Sequence, residues 1–214
     1  MGTRVMMGSS FGPVEALGVI ETATIHEGFG LVDAMAKEAV IEVLAATPLP
    51  PGRFLIVIGG RVGEVESSWR RGLALCHAPH DQLFLAEIAP EVVAAARARR
   101  PSGDAPPPAP HELEALGLFE TVTVSAGLDA ADRAVKGSTV TLESLHLARG
   151  IAGRSFGLIH GRQDMVEAAL ALAEERGRAH EGWVGSTLIA RPDPAVAARY
   201  LRAPWGFVGE QEIL

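Results

Sequence analysis

Three groups of residues in this chain are of types that do chemistry. Gly153-Arg154-Ser155-Phe156-Gly157 spells G-x-S-x-G, the pattern that holds a nucleophilic serine on a strained turn between a strand and a following helix. "CHAPHD", residues 76 to 81, bunches a thiol, two imidazoles and a carboxylate, which are zinc-ligand types. Glu21 and Glu120 each precede a threonine, and paired carboxylates can share acid–base work. Gly60 and Gly63 stand before a helical pattern, where backbone amides could receive an anion.

Each pattern lacks the context its chemistry needs. Ser155 opens an apolar run, "SFGLIHG", so it begins a strand instead of following one, and a hydrolase is not expected. Four candidate ligands within six residues do not readily surround one tetrahedral centre, and Pro79 interrupts them. Cys76 is expected to pack as a small apolar residue beside loop histidines. The two glycines lack the remainder of a phosphate loop and read as a tight strand-to-helix turn.

The elements around these residues are those of a globular protein. Of 214 residues, 48% are apolar and 21% charged, which supplies a core. The net charge of -7 and the lack of a basic run interleaved with aromatics exclude a nucleic-acid surface. Nothing approaches the roughly 20 apolar residues of a membrane span. The N-terminus carries no apolar run of signal length, so a cytoplasmic protein is expected. One cysteine excludes an internal disulfide.

The chain also repeats itself. "ALGVIETATIHEGFGLVDAMAK" (16–37) lies over "ALGLFETVTVSAGLDAADRAVK" (115–136) without a gap, with nine of 22 positions identical. Farther on, Gly60-Arg61 falls on Gly161-Arg162. An offset of domain length means two domains, not a solenoid. The expected division is an extension at 1–15, a first domain at 16–98, a proline-rich linker at 99–114 and a second domain at 115–214. Periodicity within each copy gives strand, helix, strand, strand, helix, strand, the ferredoxin-like α/β order, with a trailing helix entered near Pro90 or Pro194. Glu21 and Glu120, being repeat-related, would lie on separate domains and serve the sheets.

"ALGVIET", "DAMAKEA" and "GRVGEV", with "ALGLFET", "DAADRAVKGS", "GIAG" and "ARP", resemble the bacterial microcompartment shell proteins. The chain is similar to their unpermuted tandem-domain members, some of which carry an iron–sulfur cluster at a pore. The resemblance implies a non-enzymatic tile: a homotrimer with pseudo-sixfold symmetry, packed beside other shell hexamers and pentamers, passing small metabolites through a central pore. The loop between the second and third strands would line that pore, giving Leu49, Pro50, Pro51 and Gly52 from one copy and Gly150, Ile151, Ala152 and Gly153 from the other. The proline tip would be stiff and poor in donors, the glycine tip more mobile. Arg53, Arg149 and Arg154 flank the loops and would favour anions unless spent in ion pairs.

Lys37, Lys136 and Arg191 occupy the family's tile-edge positions, and the counterpart of Arg191 is read as Ala89. In cluster-bearing relatives a cysteine precedes the Pro-Gly-Lys-Phe stretch. Here that position is Pro50, which supplies no thiolate, so no cofactor is expected. An electron-relay shell protein and a ligand-binding trimeric regulator are the alternatives, the latter because a fold does not fix a function.

Overall fold

The computed structural model describes residues 12–97, 108–148 and 150–201. Its elements are β1 (Ala16–Thr22), α1 (Ile25–Glu38), β2 (Glu42–Leu49), β3 (Arg53–Gly60), α2 (Val62–Leu75), β4 (Pro79–Ala86) and α3 (Pro90–Ala96). A short turn of 3-10 helix at Pro110–Glu112 leads into β5 (Ala115–Thr121), α4 (Val124–Gly137), β6 (Thr141–Leu147), β7 (Ser155–Gly161), α5 (Gln163–Ala179), β8 (Trp183–Ala190) and α6 (Pro194–Tyr200). Each repeat builds a four-stranded sheet, in orders β2-β3-β1-β4 and β6-β7-β5-β8. The ferredoxin-like α/β order expected from periodicity is the one observed.

The repeated residues define the frame. Gly18 and Gly117 sit mid-strand where a helix crosses the sheet: a Cβ at Gly117 would stand 2.7 Å from Val166 and one at Gly18 would stand 3.1 Å from Trp69. Gly28 and Gly127 let their helices approach the third strand of each sheet, with Phe54 and Ser155 in the space a side chain would need. Thr22 and Thr121 donate their hydroxyls to the carbonyls of Thr24 and Thr123, at 2.6 and 2.9 Å, and so turn each strand into its helix. Asp33 and Asp132 hold Lys37 and Lys136 one helical turn on. Ala16, Leu17, Ala115 and Leu116 are buried core.

In the first repeat, Ile20, Leu31, Met35, Phe54, Ile56, Ile58 and Val65 form the core between the sheet and its two long helices. In the second, Leu113, Leu116, Leu158, Ala197 and Leu201 form a further cluster that includes α6.

The chain divides into two compact units, one made of the described residues up to Pro48 with Gly52–Ile88, the other of Leu49–Pro51 with the residues from Ala89 onward. Helix α3, the last element of the first repeat, thus belongs to the second unit, where it contacts β6 and α4. Asp132 accepts the Ala89 N–H at 2.8 Å there. Most of the proline-rich linker and the start of the N-terminal extension lie outside the described residues. The end of that extension is tied in: Glu15 donates to the Gly60 carbonyl at 2.9 Å and accepts from Ile88 at 3.2 Å.

Candidate functional site

The two loops between the second and third strands of each sheet differ in construction. In the first, β2 runs as far as Leu49, which is buried, and Pro50, Pro51 and Gly52 form an exposed turn before Arg53 opens β3. Gly52 takes φ 99°, which favours glycine. The second loop is more internally bonded than its glycines suggest. Ala148 donates to Arg154 at 2.9 Å and Arg154 to Ile151 at 3.1 Å. Ala148, Gly150, Ala152 and Gly153 all have positive φ. The Arg154 N–H is therefore used within the loop, and the glycine tip closes on itself as a hydrogen-bonded turn. Arg149 lies outside the described residues.

Beneath both loops sits the same ion pair. Arg53 lies 3.6 Å from Glu21, with both side chains almost fully buried. Arg154 lies 2.6 Å from Glu120, with both side chains open to solvent. Strand pairing explains the juxtaposition, since Glu21 faces Leu55 and Glu120 faces Phe156 across their sheets. These two arginines are spent in ion pairs, so the expected electropositive approach does not arise from them. Glu21 and Glu120, expected to serve the sheets, are the arginines' counter-ions on the first strand of each.

The candidate edge residues fall at equivalent sites with one correction. Lys37 bonds Asp33 at 2.5 Å and Lys136 bonds Asp132 at 2.6 Å. Both first strands pair with the fourth in matching register: Ala16 faces Ala86 and Ala115 faces Ala190. The residue equivalent to Arg191 is therefore Glu87, not Ala89. Both are exposed and both are left-handed, with φ 54° at Glu87 and 46° at Arg191. Ala89 corresponds to Asp193, each standing just before the proline that starts a helix. The first repeat does not simply lack the arginine; it holds an opposite charge in its place.

Sequence and structural comparisons bear on this architecture. The family model of the BMC domain matches twice, over residues 16–92 and 115–192. The chain belongs to the BMC-domain family. It is 34% identical over 179 residues to the bacterial microcompartment shell protein PduT of Citrobacter freundii, spanning 83% of this chain and 93% of that one. A microcompartment protein from Desulfitobacterium hafniense DCB superposes with a TM-score of 0.75 at 29% identity, over 87% of this chain and 99% of that one. A fused permuted hexameric shell protein of the RMM microcompartment, at 18% identity and TM-score 0.54 over 78% and 85% of the two chains, shares the fold. The protein is thus a tandem BMC-domain shell protein whose role is structural.

Within this BMC frame the other chemical candidates have structural explanations. Ser155 starts β7 and is buried against Gly127, not raised on a strand-to-helix elbow. Cys76 caps the C-terminus of α2, and His80 and Asp81 belong to β4 instead of a loop. Among the described residues no group of three or more His, Cys, Asp or Glu side chains converges as a metal site, and no helix is long and apolar enough to cross a membrane.

Glu27, which the sequence did not flag, accepts the His77 N–H at 2.6 Å. That bond draws its carboxyl below the ordinary value, against the opposing effect of desolvation. Burial pushes the Cys76 thiol up, with the nearby Glu27 charge adding to it. Cys76 should therefore alkylate more slowly at pH 8 than an unhindered thiol, because only the thiolate reacts, and the rate should keep rising above that pH. An iodoacetamide rate equal to that of a free cysteine peptide would contradict this.

Proposed function

We propose that three copies of the chain close into a ring of six BMC domains, that the two loop types alternate around its central pore, and that the ring tiles a shell facet. The observation that carries this reading is a burial mismatch between repeat-equivalent positions. Phe29 is 64% exposed while its counterpart Leu128 is 0% exposed. Ile25 and Val43 are likewise exposed where Val124 and Leu142 are buried. Helix α1 buries three residues and α4 buries ten.

An apolar surface left open in one copy and covered in the other calls for a covering partner. Helices α3 and α6 show the complementary mismatch: Val92 is buried and its counterpart Val196 exposed. Two unlike faces that fit one another make a head-to-tail contact, which gives a ring when the rotation closes. Six pseudo-equivalent domains correspond to three chains.

On this reading Leu49, Pro50, Pro51 and Gly52 alternate with Gly150, Ile151, Ala152 and Gly153 at the pore. Because Arg53 and Arg154 are paired with Glu21 and Glu120, selection rests on diameter and backbone groups more than on charge. The tile edges carry Lys37, Lys136 and Arg191, with Glu87 in the place of a second arginine. Electron microscopy with shell partners tests the tiling: hexagonal discs or sheets support it, and a stable monomer ends it.

The pore carries no cofactor and the tile no catalytic activity. The cysteine of the chain stands at the end of α2, on neither loop, and Pro50 supplies no thiolate. Reconstitution with iron and sulfide should leave the protein colourless. A brown product with broad visible absorption would favour the electron-relay alternative.

A further inference from the structure

The second unit contains a contact whose repeat equivalent is incomplete. Asp132 uses both carboxylate oxygens: Oδ2 bonds Lys136 Nζ at 2.6 Å, and Oδ1 accepts the backbone N–H of Ala89 at 2.8 Å. Its side chain is only 8% exposed. Asp33 occupies the same place on α1 and holds Lys37 in the same way through Oδ2, yet its side chain is 65% exposed. Ala89, which bonds Asp132, and Pro90 after it have their equivalents in Asp193 and Pro194. Both halves of a second such contact are therefore present in the chain, one on α1 and one ahead of α6.

We infer that Asp33 of one chain accepts the backbone N–H of Asp193 from a second copy, pinning the seam between neighbouring chains as Asp132 pins Ala89 within one. The inference rests on the ring reading and specifies its contact. The occupant is a second copy because the chain itself carries the matching segment, in which a residue preceding a helix-opening proline is followed by Val196, an exposed counterpart of buried Val92. The chemistry suits the position. A carboxylate accepting an amide hydrogen bond makes one of the stronger hydrogen bonds a protein offers, and Lys37, four residues on, holds the carboxylate in place before the partner arrives. The same seam would cover the open Glu120–Arg154 pair, just as its equivalent Glu21–Arg53 is covered.

The test is a dilution series by sedimentation velocity on the full chain, comparing wild type with Asp33→Ala, Asp33→Asn and Lys37→Ala, together with a thermal melt of each. Losing a charge-assisted bond at every seam should raise the concentration needed for assembly by about ten-fold or more for Asp33→Ala. Asp33→Asn, which keeps an acceptor oxygen, should shift it less. Lys37→Ala, which removes only an exposed ion pair, should shift it by no more than about three-fold. Melting of the dissociated chains should be unchanged, because Asp33 is a surface residue before assembly.

Equal shifts for Asp33→Ala and Lys37→Ala, or no shift for Asp33→Ala, would overturn the seam contact while leaving the ring intact. A wild-type chain that never assembles would overturn the ring and the seam together.

Discussion

Replacing Phe29 with aspartate should leave a folded chain that no longer assembles, whereas replacing its repeat equivalent, Leu128, with aspartate should leave no folded chain. Leu128 is fully buried. Truncating such a side chain costs about 2–5 kcal/mol, and burying a carboxyl without a partner costs roughly as much again, a total comparable with the about 5–15 kcal/mol that holds a domain together.

Phe29 instead lies at the surface, where its ring meets that of Phe54 with centroids 5.0 Å apart. Losing that ring contact costs about 0.5–1.5 kcal/mol, which the unit survives. Its apolar surface is what the seam needs, and a charge there opposes burial against a neighbour. Circular dichroism and sedimentation separate the outcomes: native secondary structure at monomer mass for Phe29→Asp, and loss of structure for Leu128→Asp. A Phe29→Asp chain that assembles like wild type would show that α1 is not at the seam.

The second large effect concerns the two glutamate–arginine pairs. Glu21→Ala leaves the Arg53 guanidinium buried without this counter-ion, and breaking a buried pair from one side costs about 3–5 kcal/mol. The same change at Glu120 releases an arginine already half in water. In an unassembled chain it should cost no more than about 1 kcal/mol. Denaturant melts in the Phe29→Asp background measure both without interference from assembly. Similar midpoints for the two variants would mean that the burial difference between the pairs carries no energy. If the proposed seam covers the Glu120 pair, Glu120→Ala should weaken assembly there even though the lone chain tolerates it.

Much of this architecture can be read in the letters because it depends on local pattern. Strand and helix periods give the element order, and the nine identities between the repeats are positions where geometry leaves little choice: glycines under a crossing helix, threonines that turn a strand into a helix, and a lysine one turn after its aspartate. What the sequence does not display is pairing across the fold. Glu21 and Arg53 are 32 positions apart, and nothing local tells the arginine to turn toward the sheet instead of the solvent.

The same limit explains the edge assignment. Letter matching puts Ala89 opposite Arg191, but strand register puts Glu87 there, because the turn after β4 and the turn after β8 are related by their shared left-handed residue and not by composition. Likewise, a glycine-rich loop reads as mobile until its backbone bonds are known. The membership of α3 in the second unit is tertiary information: its sequence shows a short apolar helix entered through Pro90 but not the surface it meets. The burial mismatch between Phe29 and Leu128 is invisible for the same reason, since both are simply large apolar residues in a helix.

The central claim is that the open α1 face is a seam between copies, and the mass of the purified wild-type chain tests it most directly. Native mass spectrometry at micromolar concentration should give one species of three times the 22.5 kDa chain mass. A single peak at the mass of one chain would contradict the account, because the exposed face would then have no partner.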